Sequence, residues 1–170
     1  MSGLSQKPVY RAAILTISDA GAKGERVDTS GDVISERVAA LGFQEMAREI
    51  VPDERDQIAQ KIAAWADGGN VDIVISTGGT GLGPRDVTPE AVRAVFDYEV
   101  PGIGEAMRAG TLTYTQMAML SRAVAGVRKG CLVITLPGSP KAVRECLEVV
   151  EPVIPHALEI LHGQRGHPPR

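Results

Sequence analysis

Four glycines within six residues, Gly78, Gly79, Gly81 and Gly83, follow the apolar run 72–76 and precede Arg85 and Asp86. Backbone N–H groups with no Cβ in the way, placed at the end of a buried strand, form an anion site. Thr77 and Thr80 add hydroxyls to it. Thr88-Pro89-Glu90 supplies an N-cap, a first-turn proline and an early acidic residue, so the spacing predicts that a helix begins there. At the far lip of the loop stand a cation, Arg85, and a carboxylate, Asp86. A carboxylate beside a bound phosphate is repulsive unless a metal ion lies between them, which points to chemistry on a magnesium-bound nucleotide. The loop is not a P-loop, since no Gly-Lys-Ser/Thr follows, and Pro84 after Gly83 breaks the dinucleotide fingerprint. The residues alone therefore give an anion-binding loop with an acidic neighbour, set against glycines that serve only packing.

The elements that position this loop follow from periodicity. Residues 12–17 and 72–76 are β-branched apolar runs, expected as strands buried on both faces. Residues 43–51 are mixed in character and expected near a sheet edge. Helices are expected from Thr29 to Gly42 with Val33, Ile34, Val38 and Leu41 inward, and over 55–66 with Ile58, Ile62 and Trp65 inward. Further helices are expected over 89–96, 103–119, 141–150 and up to about Leu161. Residues 121–127 and 131–136 flank Arg128-Lys129-Gly130 and predict a β-hairpin. Met107, Met117 and Met119 are expected as core filler. The arm 1–9 and the tail 164–170 are expected to be loose. The whole is a single domain, core about 10–161, with a three-layer α/β/α architecture and a mostly parallel sheet carrying one antiparallel hairpin addition. Ligands in such sheets bind beyond the carboxyl ends of the strands. Four loops converge there: Ser18-Asp19, 52–54, 78–86 and 137–140.

Composition narrows the classes. With 18 Lys plus Arg against 21 Asp plus Glu, the net charge of −3 gives no electrostatic reason to bind nucleic acid or an anionic membrane. Apolar runs are strand-sized, and 1–8 lacks a signal-like region, so the expectation is a cytoplasmic protein without a membrane span. Cys131 and Cys146 have neither Cys-x-x-Cys nor zinc spacing and read as reduced core thiols. His156, His162 and His167 share no helical face and read as structural or solvent-facing.

The runs Thr77-Gly78-Gly79-Thr80-Gly81, Gly83 to Glu90, Ser18-Asp19, Pro52-Asp53-Glu54, Pro101 to Glu105, Leu120-Ser121-Arg122 and Leu136 to Pro140 together resemble the MogA/MoaB family, which includes gephyrin and plant Cnx G domains. The resemblance spans about residues 10–160. It implies a molybdopterin-binding fold, a homotrimer, and transfer of AMP from ATP to the terminal phosphate of molybdopterin with Mg2+, releasing pyrophosphate. Hand-over to a separate molybdate-insertion protein is implied as well. Carried onto this chain, Asp86 and Asp53 become the essential carboxylates and Mg2+ ligands. Gly78, Gly79, Thr80 and Gly81 hold the pterin-side phosphate. Ser18, Asp19, Thr77, Arg85, Ser121, Pro137, Gly138 and Ser139 complete the molybdopterin and ATP pocket. Asp28-Thr29-Ser30-Gly31 resembles the MoaB-like branch, so a non-catalytic pterin-binding or carrier protein is the alternative. From position alone, Asp53 is also a helix N-cap, Arg85 a surface ion pair, Ser121-Arg122 a strand start and 137–140 a rigid turn.

Overall fold

The computed structural model describes residues 8–163, so most of the expected arm and all of the expected loose tail lie outside the described residues. The first strand, β1 (Arg11–Ile17), alternates strictly: Ala12 and Ile14 enter one core, and Ala13, Leu15 and Ile17 the other. A one-turn helix, α1 (Asp19–Ala22), is capped by Ser18 Oγ, which accepts from the Gly21 N–H. The next helix, α2 (Thr29–Ala40), starts on the Asp28 carboxylate, which accepts from the Gly31 N–H. Gly42, at φ +75°, ends that helix in the left-handed conformation a glycine adopts without penalty.

The edge strand β2 (Gln44–Val51) and helix α3 (Arg55–Asp67) follow. Ile58, Ile62 and Ala66 face the core from α3, while Trp65 is only partly buried. Then come β3 (Ile73–Thr77), α4 (Thr88–Arg93) and a two-residue strand, β4 (Tyr98–Glu99). That strand is too short to leave a periodic signal. Helix α5 (Pro101–Thr111) stops well before the expected end at 119. The reason is a threonine-rich stretch: the Thr111 hydroxyl donates to the Met107 carbonyl, and the Thr115 hydroxyl caps a 3-10 turn, Gln116–Leu120. The expectation for the methionines is accordingly corrected. Met107 is fully buried, but Met117 and Met119 are more than 60% exposed.

The hairpin forms as expected, β5 (Ala125–Arg128) against β6 (Cys131–Leu136), with Lys129 and Gly130 both at positive φ in its turn. Helices α6 (Pro140–Val150) and α7 (Ile154–Leu161) close the chain, joined by a short 3-10 segment, Glu151–Val153. Strand order is β2-β1-β3-β6-β5-β4. The first four are mutually parallel, β5 runs antiparallel to β6, and β4 antiparallel to β5. Helices α2, α5, α6 and α7 cover one face of the sheet, and α3 and α4 the other. No helix among the described residues is long and apolar enough to cross a membrane.

Candidate active site

The four carboxyl-edge loops are tied together by hydrogen bonds that begin at the strand ends. Gly78 donates to the Leu136 carbonyl, and the Thr77 hydroxyl to the Pro137 carbonyl at 2.6 Å, which locks the loops after β3 and β6 side by side. Ser30 Oγ donates to the Gly138 carbonyl and adds the first turn of α2. The loops after β1 and β2 grip each other reciprocally. Asp53 Oδ2 accepts from the Asp19 N–H at 2.9 Å, and Asp19 Oδ1 accepts from the Asp53 N–H at 3.0 Å. Asp53 is therefore not the N-cap of α3; that position is Glu54, which makes no side-chain cap bond.

Two glycines in the cradle are required by geometry. Gly78 sits at φ +100°, and a Cβ there would collide with the Ile17 carbonyl oxygen. Gly79 sits at φ +68°, and a Cβ there would collide with the Thr88 hydroxyl. Thr88 is fully buried, and its hydroxyl donates to the Gly78 carbonyl, so it braces the cradle and does not cap α4 as its position suggested. The N–H groups of Gly79, Thr80 and Gly81 meet no acceptor among the described residues, which leaves them available to a ligand.

Arg122 fixes the outer limb of the loop. Its N–H and Nε–H donate to the carbonyls of Thr80 and Gly81, Nη2 donates to the Asp86 carbonyl, and Nη1 pairs with Glu90. The family pattern contains Arg122, but its grip on the glycine loop has no local sequence signal, because the contact spans about forty residues of chain. Asp86 folds back so that Oδ2 accepts from the Gly83 N–H at 2.9 Å, lying against the bare Cα positions of Gly81 and Gly83.

Two cavities open on this edge and share Gly79, Asp86, Gly138 and Ser139. One, of about 570 Å³, runs between α5, α6 and the 3-10 turn. It is lined by Thr80, Gly81, Ser121, Pro137 and the mainly apolar side chains of Met107, Ala118, Leu120, Ala142 and Cys146, with Arg108 and Glu145 at its wall. The other, of about 670 Å³, is polar and lined by Ser18, Arg26, Asp28, Ser30, Asp53, Thr77 and Gly78. Asp53 and Asp86 thus flank one polar space. Asp19 and Arg85 line neither cavity. Arg85 pairs with Asp19 at 3.1 Å and Glu54 at 2.7 Å beside the site, clasping the loops after β1, β2 and β3 together. Ser121 lies ahead of β5 at the cavity wall and does not start a strand.

The electrostatics separate these acids. Arg85 holds the Asp19 carboxyl below the usual carboxylate range, chiefly by hydrogen bonding. Asp53 is pushed up instead. Burial is the main cause, and the charges of Asp19 and Asp86 add to it against the Asp19 N–H bond and Arg85. Asp28, also in the polar cavity, is already committed to Arg48 and the Thr16 hydroxyl. No group of three or more metal-ligating side chains occurs among the described residues. Two carboxylates with vacant coordination suit an ion that substrate phosphates also hold, which is how Mg2+ is usually bound. The thiols are inert by burial, raised to about 12 at Cys131 and about 11 at Cys146. His156 and His162 lie on and just after α7, away from this edge, and His167 is outside the described residues.

Comparison with known proteins identifies the family and the fold. The family model described as "Probable molybdopterin binding domain" matches residues 13–156. A molybdopterin adenylyltransferase of Helicobacter pylori (strain J99) is 44% identical over 152 residues, covering 88% of this chain and 86% of that one. The crystal structure of the molybdopterin biosynthesis enzyme MoaB from Thermus thermophilus superposes with a TM-score of 0.86 at 51% identity, covering 91% of this chain and 98% of that one. A structure of MogA superposes at 0.85 with 37% identity, covering 89% and 99%.

Proposed function

This chain belongs to the molybdopterin-binding domain family of molybdenum-cofactor biosynthesis, and from that membership we propose that it is a molybdopterin adenylyltransferase. The observation that carries the reading is the pair of carboxylates, Asp53 and Asp86, facing a polar cavity beside a cradle of unengaged N–H groups. Among the described residues neither carboxylate forms an ion pair with a cation, as Asp19 and Asp28 do.

In the reaction, a terminal phosphate oxygen of molybdopterin forms a bond to the α-phosphorus of ATP, the bond to the bridging oxygen breaks, and pyrophosphate leaves with the electron pair. The nucleophile is already ionised at neutral pH, so no histidine base is needed. The task of the protein is to bring two anions together and neutralise them. The N–H groups of Gly79, Thr80 and Gly81 orient and stabilise phosphate oxygens. Thr88 and Arg122 hold those N–H groups in place through the Gly78, Thr80 and Gly81 carbonyls. Asp53 and Asp86 would hold Mg2+, which when bound supplies charge neutralisation between the phosphates and the carboxylates. Their role as metal ligands fits their position better than a role as bases.

The same membership supports a homotrimer that hands its product to a separate molybdate-insertion protein. The exposed apolar side chains of Leu112, Tyr114, Met117, Met119 and Leu120 are consistent with a surface covered by another subunit, and sedimentation velocity tests that state. The buried free thiols accord with the cytoplasm as its compartment.

Purified protein given molybdopterin, ATP and Mg2+ is expected to release pyrophosphate and form adenylyl-molybdopterin. Pterin binding with no pyrophosphate release would select a non-catalytic carrier.

A further inference from the structure

The apolar cavity contains one side chain that its own packing does not explain. Glu145 lies on α6 between Ala142 and Cys146, and all three line the cavity. Its side chain is only 13% exposed. No hydrogen-bond donor reaches its carboxylate among the described residues. Its ion-pair partner is Lys141, at 3.8 Å and 84% exposed, too distant for a hydrogen bond. The cationic group on the cavity wall, Arg108, is occupied in bonding the Ala123 carbonyl at 2.7 Å and makes no ion pair with Glu145. The carboxylate opens on the cavity and, among the described residues, has only solvent to donate to it. Such a group is explained when the donors arrive with a ligand.

The required donors have a definite chemistry. Two parallel N–H groups matched to the two carboxylate oxygens form the strongest complement. The 2-amino-4-oxopyrimidine edge of a pterin presents that pair, its N3–H beside its 2-amino group. Adenine does not, because its amino group adjoins a ring nitrogen that accepts. The flat ring would lie among Met107, Leu120 and Ala142, with its phosphate end towards Gly79 and Asp86, where the two cavities join.

We propose that Glu145 is the specificity-determining residue that reads the aminopyrimidine edge of the pterin in the apolar cavity, leaving the polar cavity to the nucleotide. The proposal rests on the adenylyltransferase reading for its substrate, but it is tested without turnover.

The test is a fluorescence titration of the intact chain with pterin and with lumazine, its counterpart carrying oxygen in place of the 2-amino group. Lumazine sets a carbonyl oxygen against the carboxylate. The unaltered protein should bind pterin at least about tenfold more tightly than lumazine, the value of one hydrogen bond to a charged group. Glu145→Gln should bring that ratio close to one, and Glu145→Asp should restore part of it. Melting curves report whether the variants are folded. A pterin-to-lumazine ratio near one in the unaltered protein, a ratio left intact by Glu145→Gln, or competitive displacement of pterin by AMP would each overturn the proposal. Selective pterin binding without pyrophosphate release would keep it and remove only the transfer reaction.

Discussion

The two ends of the same sheet treat a buried carboxylate in opposite ways. At the amino edge, Asp72 is 5% exposed and fully matched. Arg11 meets it through Nε at 3.0 Å, Nη2 at 2.8 Å and its backbone N–H at 2.7 Å, and His162 Nε2 lies 3.1 Å away. Burial works to raise that carboxyl, but the Arg11 bonds and charge prevail and hold it below its ordinary range. At the carboxyl edge, Asp53 is raised, and its nearest charges include two further carboxylates. A carboxylate supplied with its own cation fastens the fold. One left short of a cation weakens the fold slightly, and on the proposed reading Asp53 is kept for a cation that comes with the substrate.

Substitutions should divide along this line. The largest effect is expected from Asp86→Asn, which should lower kcat by about a thousandfold while melting temperature and pterin affinity hold, since it removes one of the two carboxylates proposed to hold Mg2+. Asp53→Asn should lower transfer by about a hundredfold and leave the melting temperature equal or higher, because a disfavoured charge is removed. Asp72→Asn should do the reverse. Turnover should persist, but stability should fall by about 2 kcal/mol, read from denaturant titration, as hydrogen bonds to a charged group are lost. Thr88→Val should cost about 1 kcal/mol and raise the KM for substrate severalfold through a loosened Gly78–Gly79 turn.

The smallest effect is the most discriminating, and it concerns pH. The lowered carboxyl of Asp72 contributes stability that is present above its unfolded pKa and lost as the pH falls through its folded value. The gap between the unaltered protein and Asp72→Asn should therefore close in acid. Asp53 has the opposite sign. Its raised carboxyl opposes folding while ionised, and that opposition is relieved as the pH falls through its folded value. Carboxyl NMR should find Asp53 titrating above the ordinary carboxylate range, and Asp86→Asn should bring it down.

Much of this was legible in the residues. Runs buried on both faces, such as 72–76, announce a central parallel strand, and Lys129-Gly130 between two apolar runs announces a hairpin. The glycine loop with Asp86 located the carboxyl edge. What was not legible depends on distance in sequence. Thr88 has the position of a helix cap, and only the fold brings Gly78 within reach of its hydroxyl. The pairing of Arg85 with Asp19 and Glu54, both far earlier in the chain, likewise has no local signal. The break in α5 escaped detection because apolar periodicity continues through residues whose hydroxyls compete with the helix backbone. Glu145 had no signal at all, since a glutamate on an amphipathic helix is ordinarily solvated.

The central claim, that Asp53 and Asp86 are left without a protein cation so that one can enter with the nucleotide, is tested most directly by calorimetric titration of ATP with and without Mg2+. The unaltered protein should bind Mg2+-ATP more tightly than metal-free ATP by at least about tenfold, and the double variant Asp53→Asn, Asp86→Asn should lose or invert that preference. Equal binding of ATP with and without the metal in the unaltered protein, or a preference that survives in the double variant, would contradict it.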